Sequence, residues 1–540
     1  MGARGCRWVH ALIDRLPAAV GGARLAVALD SAEIALALRL LRRLVSGPAS
    51  APPSYVLMRW LFLRLLGVTY LCAFASLWVQ VRGLIGQRGI LPAATFLESA
   101  RTNTGRERYW LMPTLAWLDA RDPTLRALCG SGALLSVLLV AGIAPIPILT
   151  ALWLLYLSLV TVCRVFLAYQ WDALLLETGF LAIFLAPGRL WPGIRRESAP
   201  SPTVVRLLQW LLFRLMFSSG VVKLTSGDPT WRSLTALAYH YETQPLPAPT
   251  AWYMHQLPLW FQKLSTAFAL GIELVAPFGI FGPRRVRLAA SGLLALLQVL
   301  IVLTGNYAFF NLLSLALCLS PLDDACLRSL APAGLRRRLP APGHWPAGPR
   351  WRGWLVAPLA VLIGGIGAVR LAAAFSRSLR LPRPVRRTLE WLEPFRVVNS
   401  YGLFAVMTTE RPEIVVEGSN DGATWLEYGF RYKPGDLYRP PRWVAPHQPR
   451  LDWQMWFAAL GSVYSAPWFV SFIQRLLEGS PEVLDLLERN PFPDAPPRYI
   501  RALLYDYHFT DATSADGAWW RRELLGLYFP PVTLAQPEPE

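Results

Sequence analysis

Hydrophobic residues in this chain gather in long runs, not in the short alternating patterns of a soluble core. A bilayer core of about 30 Å is crossed by about 20 apolar residues in a helix. Seven runs approach or exceed that length: Tyr55–Val81, Leu125–Ile143, Ile146–Val165, Val204–Val222, Leu264–Phe281, Val286–Thr304 and Trp354–Phe375. Two weaker runs accompany them: Phe166–Ala186 contains Asp172 and Glu177, and Tyr307–Leu319 is short. Together they predict a polytopic α-helical membrane protein with about nine transmembrane helices.

Beyond Leu381 the pattern becomes that of water-soluble sequence. Glu413–Glu417 (EIVVE) reads as a strand, and Ser419–Gly422 (SNDG) supplies Asn and Gly where a tight turn needs positive φ. Thr424–Tyr432 alternates as the partner strand. Trp453–Leu460 and Ala466–Leu477 have the spacing of amphipathic helices, and Pro-rich loops near Pro491–Pro497 precede a Tyr-rich stretch, Tyr499–Phe509. The expected organisation is a cytosolic basic leader (1–53), in which Leu25–Val45 suits an amphipathic helix, and a helical membrane domain (54–321) with an outer loop at 223–263. A Pro/Arg-rich cytosolic linker (322–352) and a last transmembrane helix (353–376) follow. The chain then ends in a C-terminal extracytoplasmic α+β domain (381–540) containing a small antiparallel β-sheet.

Composition supports this division. Only 16% of the 540 residues are charged and 54% are hydrophobic, against about a quarter charged in a soluble protein. The net charge of +18 is carried by arginine, since lysine occurs only at Lys223, Lys263 and Lys433. With the N-terminus in the cytosol, segments 1–53, 188–203, 283–287 and 322–352 hold about twice as many cations as the outer connections. That agrees with the positive-inside rule and puts the tail outside the cytosol. Losing one weak span would invert this placement; losing both would not. Arginines clustered between apolar runs are explained by the bilayer, so no nucleic-acid partner is expected. The cysteines, Cys6, Cys72, Cys129, Cys163, Cys318 and Cys326, show no CxxC or zinc spacing and none lies in the tail. No metal or cofactor is expected, and no Asn-x-Ser/Thr sequon is present.

Ionisable residues within membrane spans are costly and are functional candidates by default. Asp172, Glu177, Arg214, Lys223 and Glu273 qualify. The structural alternative is that they pair as glue. Asp172 and Glu177 are five apart on different parts of a helix face and need separate partners, while Arg214 and Glu273 suit pairing across helices. The outer loop concentrates Lys223, Asp228, Arg232, His240, Glu242 and His255 among Trp231, Tyr239, Tyr241, Trp252, Tyr253 and Trp260. A lysine, a histidine and a carboxylate there would serve proton transfer, or would hydrogen-bond a re-entrant loop. There is no HExxH, GxSxG, Walker loop or GxGxxG after a strand. The tail's histidines, His447 and His508, are far apart in sequence.

Several blocks carry a family resemblance: Leu84–Pro92 (LIGQRGILP), Trp171–Pro187 (WDALLLETGFLAIFLAP), Trp231–Pro247 ending HYETQPLP, Asn399–Gly402 (NSYG), Tyr432–Asp436 (YKPGD), Leu451–Ala459 (LDWQMWFAA), Asn490–Pro493 and Tyr528–Pro531 (YFPP). Through them the chain resembles the lipase maturation factor family from about residue 55 to 530. The resemblance implies a membrane-anchored factor assisting exported clients, possibly secreted lipases, to fold and assemble, with no assigned reaction. It implies the endoplasmic reticulum membrane in a eukaryote and the plasma membrane in a bacterium. It also implies client contact by the tail around Tyr428–Trp456, with Tyr428, Trp453 and Trp456 as candidates; aromatic residues at this helical spacing, Trp453, Trp456 and Phe457, are more often core than contact. The missing tail cysteines and sequons depart from the animal pattern. A shorter block, Ser219–Trp231 (SGVVKLTSGDPTW), is similar to the region of vitamin K-dependent carboxylases that carries their catalytic lysine. That resemblance implies an alternative: a membrane enzyme acting on a lipid or quinone-like substrate with Lys223 as base.

Overall fold

The computed structural model describes residues 53–191, 193, 197–339, 346, 351–375, 381–512 and 517–534. The basic leader and its Leu25–Val45 helix lie outside them, apart from residue 53. Helices used below are α1 (Val56–Trp78), α2 (Asp122–Ala141), α3 (Pro145–Cys163), α4 (Gln170–Leu185), α5 (Pro202–Thr225), α6 (Ala236–Thr243), α7 (Leu259–Gly279), α8 (Arg284–Thr304), α9 (Phe310–Cys318), α10 (Trp351–Phe375), α11 (Arg450–Ala459) and α12 (Pro467–Leu477).

Among the described residues six helices are long and apolar enough to cross a membrane: α1, α2, α3 with its 3₁₀ extension to Leu167, α5, α8 and α10. The remaining apolar runs also become helices, but fall short of that standard. α4 has 16 residues and α9 has 9, while α7 has 21 but carries Lys263 and Glu273.

Helices in lipid gain little from hydrophobic burial and associate through close packing. α1 and α2 achieve it with a glycine on each. A Cβ on Gly67 would lie 2.8 Å from Val140 Cγ2, and one on Gly132 only 2.4 Å from the Phe74 ring. The N-terminal amides of α1 have no partner within the helix. The Asp324 carboxylate takes them from far along the chain, accepting from Val56 N and Leu57 N at 2.8 Å, Met58 N at 3.2 Å and Ser54 Oγ at 2.8 Å. A negative charge there also complements the helix dipole. The start of α1 and the segment after α9 therefore meet at one end of the bundle, where Arg284 and Arg287 bind Asp323. The other end of α1 meets the tail, since Ser76 Oγ and Gln80 Nε2 donate to the Gln448 carbonyl.

The tail holds four antiparallel strands, β1 (Pro412–Ser419), β2 (Leu426–Glu427), β3 (Tyr499–Phe509) and β4 (Trp520–Val532), in the order β2-β1-β3-β4. The predicted hairpin is present, with Glu417 opposite Glu427 and Gly422 at φ +75° in its turn. Its second strand is far shorter than the alternation over Thr424–Tyr432 predicts. The chain leaves the ladder at Gly429, which bridges Arg489 instead. The Tyr-rich stretch becomes β3, and α11 packs against β1.

Candidate functional site

The last turn of α5 carries Lys223 inward, and α7 offers Glu273 opposite it. The amine lies 2.7 Å from both carboxylate oxygens and 5.2 Å from the centre of the Trp231 ring. Trp231 is held by the short helix Pro229–Arg232, which Asp228 caps by accepting from Thr230 N at 2.8 Å. The other Asp228 oxygen accepts from Met407 N at 2.5 Å. Asp228 thus ties the outer loop to the tail instead of facing the amine. Arg232 is exposed.

His240, on α6, reaches the same cavity as Lys223. Tyr307 donates its hydroxyl to Gln244 Oε1 at 2.7 Å, so His240 Nε2, 2.9 Å from that hydroxyl, must be the donor to it. This fixes the imidazole as the Nε2–H tautomer. Burial, with the Lys223 charge adding to it, lowers the His240 pKa to about 4, which keeps the ring neutral. The Phe404 ring closes the space, 4.9 Å from the His240 ring, from a residue with φ +54°. The cavity measures about 100 Å³. For scale, an engineered apolar cavity of about 150 Å³ takes up benzene.

Glu242 faces away from this cavity. Its carboxylate accepts from Phe509 N at 2.7 Å, contacts His508 Nδ1 at 3.1 Å, and lies 3.6 Å from His255 Nε2. It therefore joins the outer loop to the end of β3. The proton-transfer set read from the loop separates: Lys223 and His240 share a cavity, whereas Asp228 and Glu242 are anchors for the tail.

The other charges singled out in the apolar runs, apart from the Lys223–Glu273 pair, bind the tail as well. Asp172 receives both Arg450 Nη atoms, at 2.8 and 3.0 Å, and the Tyr156 hydroxyl at 2.5 Å. Glu177 pairs with Arg214 through one oxygen. Through the other it accepts from Asn399 N at 2.8 Å, Asn399 Nδ2 at 3.2 Å and the Tyr401 hydroxyl at 2.8 Å. Arg214 returns a bond to the Asn399 carbonyl at 2.9 Å. Arg214 and Glu273 each pair across helices, but not with each other: the partners are Glu177 and Lys223. The NSYG block is thus explained by Asn399 and Tyr401, and Arg450 stands immediately before the LDWQMW block.

Several contributors were not singled out from the sequence. Arg411 donates to the carbonyls of Glu242, Gln244 and Pro245 and to Glu413 Oε1. Asn306 receives Val444 N and Ala445 N at 2.8 and 3.0 Å, and Gln448 Oε1 accepts from the Trp171 indole at 2.8 Å. Arg411, Asn306 and Gln448 lie outside the motif blocks, and no local pattern marks them. The three side chains expected at a client surface are instead core. Tyr428, Trp453 and Trp456 are 4%, 3% and 8% exposed. Trp453 packs on Trp171 and Tyr307, and the Trp456 indole donates to the Thr243 carbonyl. α11 is wedged between β1 and the bundle, which leaves these rings no free face.

Both halves of this junction match known families. The model of the lipase maturation factor transmembrane domain matches residues 57–329, and that of the lipase maturation factor C-terminal domain matches residues 397–530. The chain belongs to the lipase maturation factor family. Lipase maturation factor 2 of Homo sapiens is 40% identical, with 89% of this chain and 83% of the relative covered. Lipase maturation factor 2 of Gallus gallus is 39% identical, covering 89% and 82%, and lipase maturation factor 1 of Bos taurus is 37% identical, covering 89% and 90%. No solved structure matches the chain. In this family member the bundle and tail are joined by buried charges from both.

Proposed function

We propose that this chain is a membrane-anchored maturation factor that helps exported proteins, such as secreted lipases, to fold or assemble. The observation that carries the reading is the way the tail is fixed. Arg450 and Asn399 of the tail neutralise or satisfy Asp172 and Glu177 of the bundle, all of them buried. Membrane charges that anchor a water-facing domain suit a presenting platform. The relatives' printed name supplies the expectation that lipases are among the clients.

In the proposed topology nine helices cross and the tail lies outside the cytosol, in the lumen of the endoplasmic reticulum or beyond a bacterial plasma membrane. Two facts support it. Cations concentrate in the segments assigned to the cytosol. Asp324, after the eighth of the nine helices, caps the start of the first, as an even number of crossings requires. Tyr464 is 91% exposed in the tail. A cysteine placed there should react with a membrane-impermeant maleimide from outside intact cells or from the lumenal side; reaction only from the cytosol would refute the topology.

Deleting the gene in its native host should lower secreted lipase activity, and tagged protein should capture exported hydrolases. Capture of none, with normal lipase activity in the deletion strain, would refute the maturation reading.

A second reading, a membrane enzyme with Lys223 as base, is favoured by the one cavity that Lys223 and His240 share. Its size opposes it. Drug-sized ligands occupy about 300–1,000 Å³, and about 100 Å³ does not seat a quinone or lipid headgroup. Lys223→Ala that retains function while inserting normally would exclude this reading.

A further inference from the structure

The tail has a groove that shares no lining residue with the Lys223 cavity, and it is the better place for a partner. It measures about 530 Å³ and runs beside β1 and β2, with Val415 and Gly429 in its lining and Tyr438, 63% exposed, at its rim. That is far larger than a single ion and within the range of binding clefts.

Its charge is unbalanced. Two guanidiniums, Arg439 and Arg442, share the one carboxylate of Glu488, the second at 3.1 Å. Arg522 is matched by Glu427 at 2.8 Å. Arg489 is exposed, and the one hydrogen bond of its guanidinium among the described residues goes to the backbone carbonyl of Glu427, at 3.3 Å. Lys433 lies 3.0 Å from Glu413, but Arg411 claims the same carboxylate at 2.8 Å. Asp436 is the remaining carboxylate in the lining, so the groove's cations outnumber its anions by two. Arginine and tyrosine are also the side chains that most often anchor protein interfaces.

We propose that this groove binds extended acidic segments of exported polypeptides, with carboxylates of the segment pairing with Arg442 and Arg489. Guanidinium forks recognise carboxylates in two-bond geometry. Resting on the maturation reading, the inference moves client contact away from the buried Tyr428, Trp453 and Trp456.

The test uses the full chain in nanodiscs of neutral phosphatidylcholine. The probe is a fluorescent twelve-residue peptide alternating Glu with Val, compared with its Lys-for-Glu counterpart by anisotropy. The acidic peptide should bind, the basic one should not, and salt should weaken binding. Arg442→Glu/Arg489→Glu should lower affinity by about tenfold or more, as reversal of charges facing a partner does. Arg498→Glu, the same change at an exposed site outside the groove, should leave it unaltered. Equal binding of both peptides, or unchanged affinity in the double variant, would overturn the proposal. So would binding to phosphatidylserine vesicles with none to the peptide, which would make the groove a lipid site. Loss of peptide binding with undiminished lipase secretion would uphold the groove and count against the maturation reading alone.

Discussion

Replacing Arg450 with Met should loosen the tail from the bundle by a calculable amount. Arg450 gives Asp172 two bonds, at 2.8 and 3.0 Å, and a third to the Phe166 carbonyl at 2.8 Å. The paired side chains are 0% and 1% exposed. In the variant Asp172 keeps only the Tyr156 hydroxyl and stays buried with an uncompensated charge. Removing one partner of a buried ion pair costs about 3–5 kcal/mol. At about 1.4 kcal/mol per tenfold, local opening should become a hundred to a few thousand times more frequent. Hydrogen exchange in detergent reads this directly, because amides of Leu451–Ala459 exchange only when the junction opens. The charge-free double variant Arg450→Met/Asp172→Leu should recover most of the loss, because replacing an entire buried pair by apolar groups is often neutral or better. A single variant with unchanged exchange, or a double variant as labile as the single, would refute the view that this pair fixes the tail.

Other outcomes follow from single contacts. Burial, aided by the Arg450 and Arg431 charges, lowers the His447 pKa to about 4 from 6.5. The unfolded chain therefore binds more protons between those values, and stability should fall as pH drops from about 6.5 to about 4, by at most about 3 kcal/mol from this residue. His447→Gln should flatten that slope in a pH series of melting curves, and adding His240→Gln should flatten it further. Gly132→Val should drive a side chain into Phe74 and lower the melting temperature, at a cost of about 1–3 kcal/mol; an unchanged melting temperature would show that the α1–α2 contact gives way freely. Asp324→Ala should cost about 1–2 kcal/mol as a lost helix cap, visible as faster exchange at Val56–Met58 and not elsewhere in α1.

The features legible in the sequence were those with a local cause. Twenty apolar residues in a row need no partner to be recognised, and six of the runs became helices long enough to span. SNDG fixed a turn because Gly422 sits at positive φ, whatever surrounds it. Other features depend on groups hundreds of residues away. Asp172 and Glu177 stood out as charges in an apolar helix, but nothing in their neighbourhood points to Arg450 or Asn399. β4 escaped notice because its register shifts against β3 and Gly526 interrupt the alternation, and Pro530–Pro531 argue against a strand. The aromatic spacing of LDWQMWF is more often that of a core, but it does not by itself exclude a contact surface. The tertiary wedge between β1 and the bundle decides for core.

The buried charges limit how the tail can work. A hinged arm would need a released state, and release would break the Arg450–Asp172 pair and the bonds from Asn399 to Glu177, all buried while the tail is in place. With Arg450, Asn399, Gln448 and Arg411 all making buried bonds across the junction, that state is scarcely populated. Under the proposed role, the tail therefore presents a fixed surface, in the orientation that the bundle sets. Specificity must then reside in what this surface already exposes, and the groove of unbalanced arginines beside β1 and β2 is exposed without any rearrangement. A partner that bound by prising the tail away would be selected against by the same ion pairs that Arg450→Met removes, so that variant should leave acidic-peptide binding intact while opening the junction.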